Sequence, residues 1–157
     1  MEQLTGTAVW LDPGATTGVA AWYFDRGTGL FRSWQEDFFR TGRLIERLAD
    51  EAERPIRLGY EQYNVLPGSF ARHDGSALMV IGMARWLALV HGFEMLPSQP
   101  NSARRLGLKH LKTLGWHTPG RGHAGDAAAH LATWMITNNL LPEELKERLR
   151  ASGSGGA

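Results

Sequence analysis

The amino-acid sequence predicts an α/β fold in which a mixed five-stranded sheet, three antiparallel strands then two parallel, is flanked by helices. Three observations predict it. Residues 7–12 (TAVWLD), 18–25 (GVAAWYFD) and 30–38 are apolar or loosely alternating runs joined by short turns, the pattern of an antiparallel meander. Two further apolar runs, 56–61 and 93–96, each follow a stretch of helical periodicity, so a crossover returns them parallel to the first strand. From residue 101 onward the chain reads as helices.

Each element has a local reason. Pro13-Gly14 turns the chain after the first strand, and Arg26-Gly27-Thr28-Gly29 turns it after the second. Residues 41–54 are expected to be helical, because Leu44, Ile45, Leu48, Ala49 and Ala52 share one stripe and Pro55 stops the run. Residues 64–74 are a polar, Gly/Pro-containing loop. Residues 76–91 predict a helix apolar nearly all round, with Ala77, Ile81, Ala84 and Ala88 on one face and Met79, Met83, Trp86 and Val90 on another. Such a helix needs cover on two sides. The sheet is one cover and a second copy of the chain the expected other, which makes a homodimer the expected state; the rival is cover by the C-terminal helices. Helices at 101–114 and 124–138 flank a Gly/Pro/His linker, and Pro142 opens a short last helix. Residues 152–157 (SGSGGA) read as a flexible tail, so the domain is expected to span 1–151.

A chain of 157 residues fits one domain with one core. Its 43% apolar content and six tryptophans exclude a disordered or fibrous protein. No window approaches the roughly 18 consecutive apolar residues of a membrane span. The first residues lack the basic start and apolar run of a secretory signal. The absence of cysteine removes disulfides, thiolate metal sites and thiol nucleophiles, and a cytoplasmic location is expected. A net charge of +1 does not announce a nucleic-acid partner, but the distribution is uneven. No acidic residue lies between Glu94 and Asp126, while Arg104, Arg105, Lys109, Lys112 and Arg121 all do. That segment is either a phosphate-binding face or a solvated helix surface.

Three acidic positions carry the chemistry. Asp12 ends the first strand at the Pro-Gly turn, where an ordinary turn residue would also be favoured. Glu61 ends the fourth strand, which runs parallel beside the first, so the two carboxylates meet at one edge and need a cation or a shared proton. The plainer partner for Glu61 is Arg57. Gly122-His123-Ala124-Gly125-Asp126 opens an Ala-rich helix, and its His and Asp, three apart, project from one face. Asp126 could equally be a first-turn carboxylate serving the helix dipole. A zinc site from His110, His117, His123 and His130 lacks cysteine and tight pair spacing. A serine hydrolase lacks its G-x-S-x-G elbow.

Leu11-Asp12-Pro13-Gly14-Ala15-Thr16-Thr17-Gly18 resembles the first-strand motif of the RuvC-type Holliday-junction resolvases, members of the RNase H-like nucleases. Tyr60-Glu61-Gln62 is similar to their second acidic motif, Ser76-Ala77-Leu78 to the helix that follows, and His123-Ala124-Gly125-Asp126-Ala127 to their last, a [D/H]-x-x-D-A helix start. The matches run in order over residues 7–138. The resemblance implies an RNase H-like fold and a divalent-metal-dependent endonuclease acting on branched DNA, four-way junctions above all. It implies that Asp12, Glu61 and Asp126 bind Mg²⁺ or Mn²⁺, two ions in all, with His123 as fourth ligand or proton shuttle. Imidazole at that place suits Mn²⁺ better than Mg²⁺.

DNA contacts are expected mostly at phosphates. Arg104, Arg105, Lys109 and Lys112 fall on one helix, though not all on one face, and Arg121 lies in the linker after it. The loop after Glu61 offers Tyr63, Phe70, Arg72 and His73, and an aromatic there either stacks on an unpaired base or packs the loop. Other readings stay open: a flap-DNA or RNA nuclease of the same fold, a non-catalytic DNA-binding module, or an actin-like nucleotide-binding protein. The last would need a second domain.

Overall fold

Seven consecutive buried residues make β1 (Gly6–Asp12) the middle strand of the sheet. Its side chains alternate: Ala8 and Trp10 enter one core, Val9 and Leu11 the other. A strand covered on both faces reads as a continuous apolar run, as this one does. A computed structural model describes residues 5–25, 28–63, 75–117, 119–120 and 122–153. β2 (Thr16–Asp25) pairs antiparallel with β1, and β3 (Thr28–Asp37) pairs antiparallel with β2. β4 (Ile56–Tyr60) lies parallel to β1 on its other side, and β5 (Glu94–Met95) lies parallel to β4. The order β3-β2-β1-β4-β5 is the predicted mixed sheet.

Several boundaries differ from the sequence reading, each for a local reason. β2 starts at Thr16, because Thr16 and Thr17 pair with Asp37 and Glu36 of β3. Helix α1 (Phe38–Glu51) starts three residues before the expected residue 41, since the Asp37 carboxylate accepts the Arg40 N–H at 2.8 Å and caps it. It ends before Pro55, at the extended Ala52. β5 has two residues, and Glu61 makes an isolated parallel bridge to Gln99. Residues 101–114 divide into a 3₁₀ turn (Asn101–Ala103) and α3 (Arg104–Leu114). α4 (Gly122–Thr137) follows, then α5 (Glu143–Gly153), which takes in Ser152 and Gly153 of the expected tail. The loop 64–74, with Phe70, Arg72 and His73, lies outside the described residues, as do Arg121 and 154–157.

Two helical layers cover the sheet. α1 and α2 (Ser76–His91) cover one face; α3, α4 and α5 cover the other. α2 has the predicted bounds, and its faces depart from the prediction at Ile81 and Met83. Its buried residues are Ala77, Val80, Ala84 and Ala88; Ile81 is only partly buried. Met83 is partly buried too, its sulfur lying 2.9 Å from where a Cβ on Gly42 of α1 would stand. Met79, Trp86, Leu89 and Val90 are exposed. The C-terminal helices, packed on the opposite face, do not supply the rival cover.

α3 and α4 touch at Gly107, where a Cβ would fall 1.8 Å from the Ala129 carbonyl oxygen. Thr133 ties the contact: its hydroxyl accepts the Gly107 N–H and donates to the Ala103 carbonyl, each at 2.9 Å. Gly107→Ala is therefore expected to destabilise by about 1–3 kcal/mol despite alanine's better helix propensity. Gly125→Ala, at a helical position with open space, is expected to stabilise by up to about 1 kcal/mol. Urea denaturation of the two variants checks the opposite signs.

Candidate functional site

The sheet register assembles the site. Leu11 of β1 pairs with Tyr60 of β4, and the Glu61 N–H donates to the Leu11 carbonyl at 2.9 Å. Asp12 and Glu61 thus leave the two strands side by side. Leu11 and Tyr60 face the α1/α2 core, so the next residues of both strands face α4. Asp12 is 7% exposed, and its carboxyl lies within hydrogen-bond reach of Glu61. On its other side Asp12 Oδ2 stands 2.7 Å from His123 Nδ1. Gly18 allows that approach: it pairs with Asp12, and a Cβ on it would fall 1.8 Å from the His123 carbonyl oxygen.

Two carboxylates in a dry corner cannot ionise alike. Burial pushes Asp12 up to about 6; Glu61 adds to the rise and His123 opposes it. Burial would raise Glu61 as well, but hydrogen bonds from His130, Asn101 and Asp12 bring it down to about 2. Asn101 Nδ2 donates to Glu61 Oε1 at 2.7 Å, and His130 Nε2 stands 3.2 Å from Oε2. Of the two carboxyls Glu61 is thus the more readily ionised, and Asp12 keeps a proton to the higher pH.

Asp126 lies one turn beyond His123 on α4, but its Oδ2 accepts a hydrogen bond from Arg104 at 2.5 Å. The site thus joins Asp12, Glu61 and His123, with Asp126 held to α3. Among the described residues no three His, Asp or Glu side chains stand as a ready-made cation cage. The donor chemistry nonetheless fits a divalent ion, because two carboxyls side by side supply oxygen donors, His123 a nitrogen donor, and a cation would relieve the repulsion of the carboxylates. Arg57, the plainer partner for Glu61, instead pairs with Glu94 at 3.1 Å and donates to the Thr5 carbonyl.

On α3, Arg105, Lys109 and Lys112 are exposed and follow i, i+4, i+7 spacing, a single stripe. Arg104 points away from it, toward α4. Tyr63 is partly buried two residues beyond Glu61. The residues that sequence reasoning missed are Asn101, Gln99 and His130. The available signal was the spacing of His130, two helical turns after His123 and so on the same side of α4.

The mixed sheet in the order β3-β2-β1-β4-β5, with helices on both faces, is that of the RNase H-like fold. No family model and no curated protein matches the chain. Among solved structures it is similar to RuvC of Thermus thermophilus in complex with a Holliday junction substrate. The two share 16% identity over 85% of this chain and 95% of that one, with a TM-score of 0.64. A second Thermus thermophilus RuvC structure gives 15% identity, 85% and 97% coverage and a TM-score of 0.61. The yeast mitochondrial Holliday junction resolvase gives 10% identity, 89% and 83% coverage and a TM-score of 0.51. At such identities the likeness is one of fold.

The Asp12 shift has a consequence for stability. Its pKa in the folded protein, about 6, exceeds the ordinary 3.8. The stabilisation is therefore complete below about 3.8, is lost as pH rises toward 6, and becomes a buried-charge penalty above that. Glu61 runs the other way, contributing above 4.5 and failing only as pH falls through about 2. In chelator, Asp12→Asn is expected to stabilise the protein by about 1–3 kcal/mol at pH 8, with little difference at pH 4. Denaturant titrations at both pH values check it; a variant no more stable than wild type at pH 8 contradicts it.

Proposed function

We propose that the chain is a divalent-metal-dependent endonuclease that hydrolyses phosphodiester bonds in branched DNA, with the Holliday junction as its principal substrate. The observation that carries the reading is the meeting of Asp12, Glu61 and His123 where β1 and β4 end, on a fold shared with a RuvC that has been seen with a Holliday junction substrate. Asp12, Glu61 and His123 would hold Mg²⁺ or Mn²⁺, two ions in all, with Asp126 as the further ligand once Arg104 lets go of it. Bound there, divalent ions would supply positive charge to the phosphodiester undergoing hydrolysis. Asp12, next to both Glu61 and His123, would be the central ligand of that set. His123, about half exposed, is placed either to ligate or to pass a proton to solvent.

The remaining roles follow from position. Arg105, Lys109 and Lys112 present three cations toward the duplex backbone, and Arg104 offers a fourth by exchanging Asp126 for a phosphate. Tyr63, together with the sequence candidates Phe70, Arg72 and Arg121, completes the proposed DNA contacts. No helix of the described residues is long and apolar enough to cross a membrane.

Cleavage of a synthetic four-way junction, against linear duplex and flap, tests the reading. Metal-dependent, paired incision of the junction is expected, and Asp12→Asn should fall to background while still retaining the junction in a gel shift. Substantial cleavage by Asp12→Asn with Mg²⁺ or Mn²⁺ would refute the site.

Paired incision needs two sites at fixed separation, and an isologous dimer through α2 provides them. Trp86 and Leu89, 64% and 76% exposed, flank a groove of about 590 Å³ that includes Gly82, Phe93 and Met95. Nothing stands within 4 Å of a Cβ on Gly82, which leaves room for a second helix. Light scattering is expected to give the mass of two chains, and Leu89→Glu the mass of one. Leu89 is the better probe than Met83, which packs against α1. A monomeric wild type, or a Leu89→Glu that stays dimeric, contradicts this interface.

A further inference from the structure

His130 is fully buried in α4 among Ala127, Ala129, Leu131 and Ala132. An imidazole in such company costs several kcal/mol unless its nitrogens find partners. Both do. Nε2 stands 3.2 Å from Glu61 Oε2, and Nδ1 stands 3.0 Å from the Gln99 side-chain amide. A carboxylate can only accept, so the tautomer that bonds Glu61 carries its proton on Nε2. Nδ1 then meets Gln99 either as donor to its carbonyl or as acceptor from its amide, since the two amide orientations look alike.

The ring is also held in its plane. Trp10 stacks on it with centroids 6.2 Å apart and planes 12° from parallel. Trp10 has its place because Gly59 opposite it lacks a side chain; a Cβ there would fall 2.5 Å from the indole. Gln99 is pinned in turn by its backbone, whose carbonyl accepts the Gln62 N–H at 2.6 Å and whose N–H donates to Tyr60 at 3.2 Å. The end of β4, Gln99, His130 and the Glu61 side chain thus close a circuit.

We propose that His130 is a positioning residue for Glu61, oriented by Gln99, and that the circuit sets the Glu61 carboxylate toward Asp12 before any cation binds. The inference rests on the metal-dependent reading above. Its test is Mn²⁺ alone, titrated into the full chain without DNA and followed calorimetrically. His130→Leu is expected to weaken Mn²⁺ binding about 10–100-fold, as loss of an outer partner of a metal ligand generally does. His130→Gln, whose terminal amide can donate where Nε2 does, should recover most of that loss, and Gln99→Leu should lose less than His130→Leu. Wild-type affinity in a folded His130→Leu overturns the inference alone, as does a folded His130→Gln no better than His130→Leu. If His130→Leu does not fold, Gln99→Leu decides: weakened binding supports the circuit and unchanged binding overturns it. A wild-type chain that takes up no Mn²⁺ overturns both this inference and the nuclease reading.

Discussion

Where β1 and β4 run side by side, the Leu11 carbonyl accepts the Glu61 N–H, and that bond fixes which residues leave the two strands together. A slip of one residue in this parallel pair would turn Glu61 toward the α1/α2 core and away from α4. Every later feature of the site presupposes the register. Asp12 can feel Glu61 only because both side chains emerge on the same face, and α4 can address both only because that face is its own. The register is itself secured by burial on both sides of β1, where a slip would carry Trp10 into a space shaped for Val9 or Leu11.

α4 then concentrates the remaining polar groups. It reaches Asp12 through His123, α3 through Asp126 and Glu61 through His130. The spacing that achieves this, three residues and then four, follows one side of a helix. Small residues make the close seating possible: Gly18 admits the start of α4 to the sheet, and Gly107 admits α3 to its middle. The electrostatics are arranged rather than merely clustered. Glu61 is surrounded by donors, while Asp12 is given mainly burial and a neighbouring carboxylate.

Much of this was legible in the sequence, and the legible parts share a cause. β1 announced itself because a strand covered on both faces must be apolar throughout, and the crossovers dictated parallel β4 and β5. Asp12, Glu61 and His123 were legible as residues at strand and helix ends that topology brings to one edge. The Asp37 cap hid the start of α1, since a polar residue closing a strand also opened the helix. The faces of α2 were misread at Ile81 and Met83 because an all-apolar helix offers periodicity no contrast. The Arg104–Asp126 pair and the role of His130 depend on where α3 and α4 cross the sheet, which spacing along one helix does not contain. His130 in particular read as one histidine among several, and only its complete burial distinguishes it.

The burial of β1 has a further consequence. Many enzymes dry their reacting groups late, when a lid shuts over a bound substrate. Here the middle strand delivers Asp12 to the site already largely shielded from solvent, so most of its dehydration takes place when the chain folds. A ligand binding at Asp12 would therefore meet a carboxyl that folding, and not a closing lid, has already shielded from solvent.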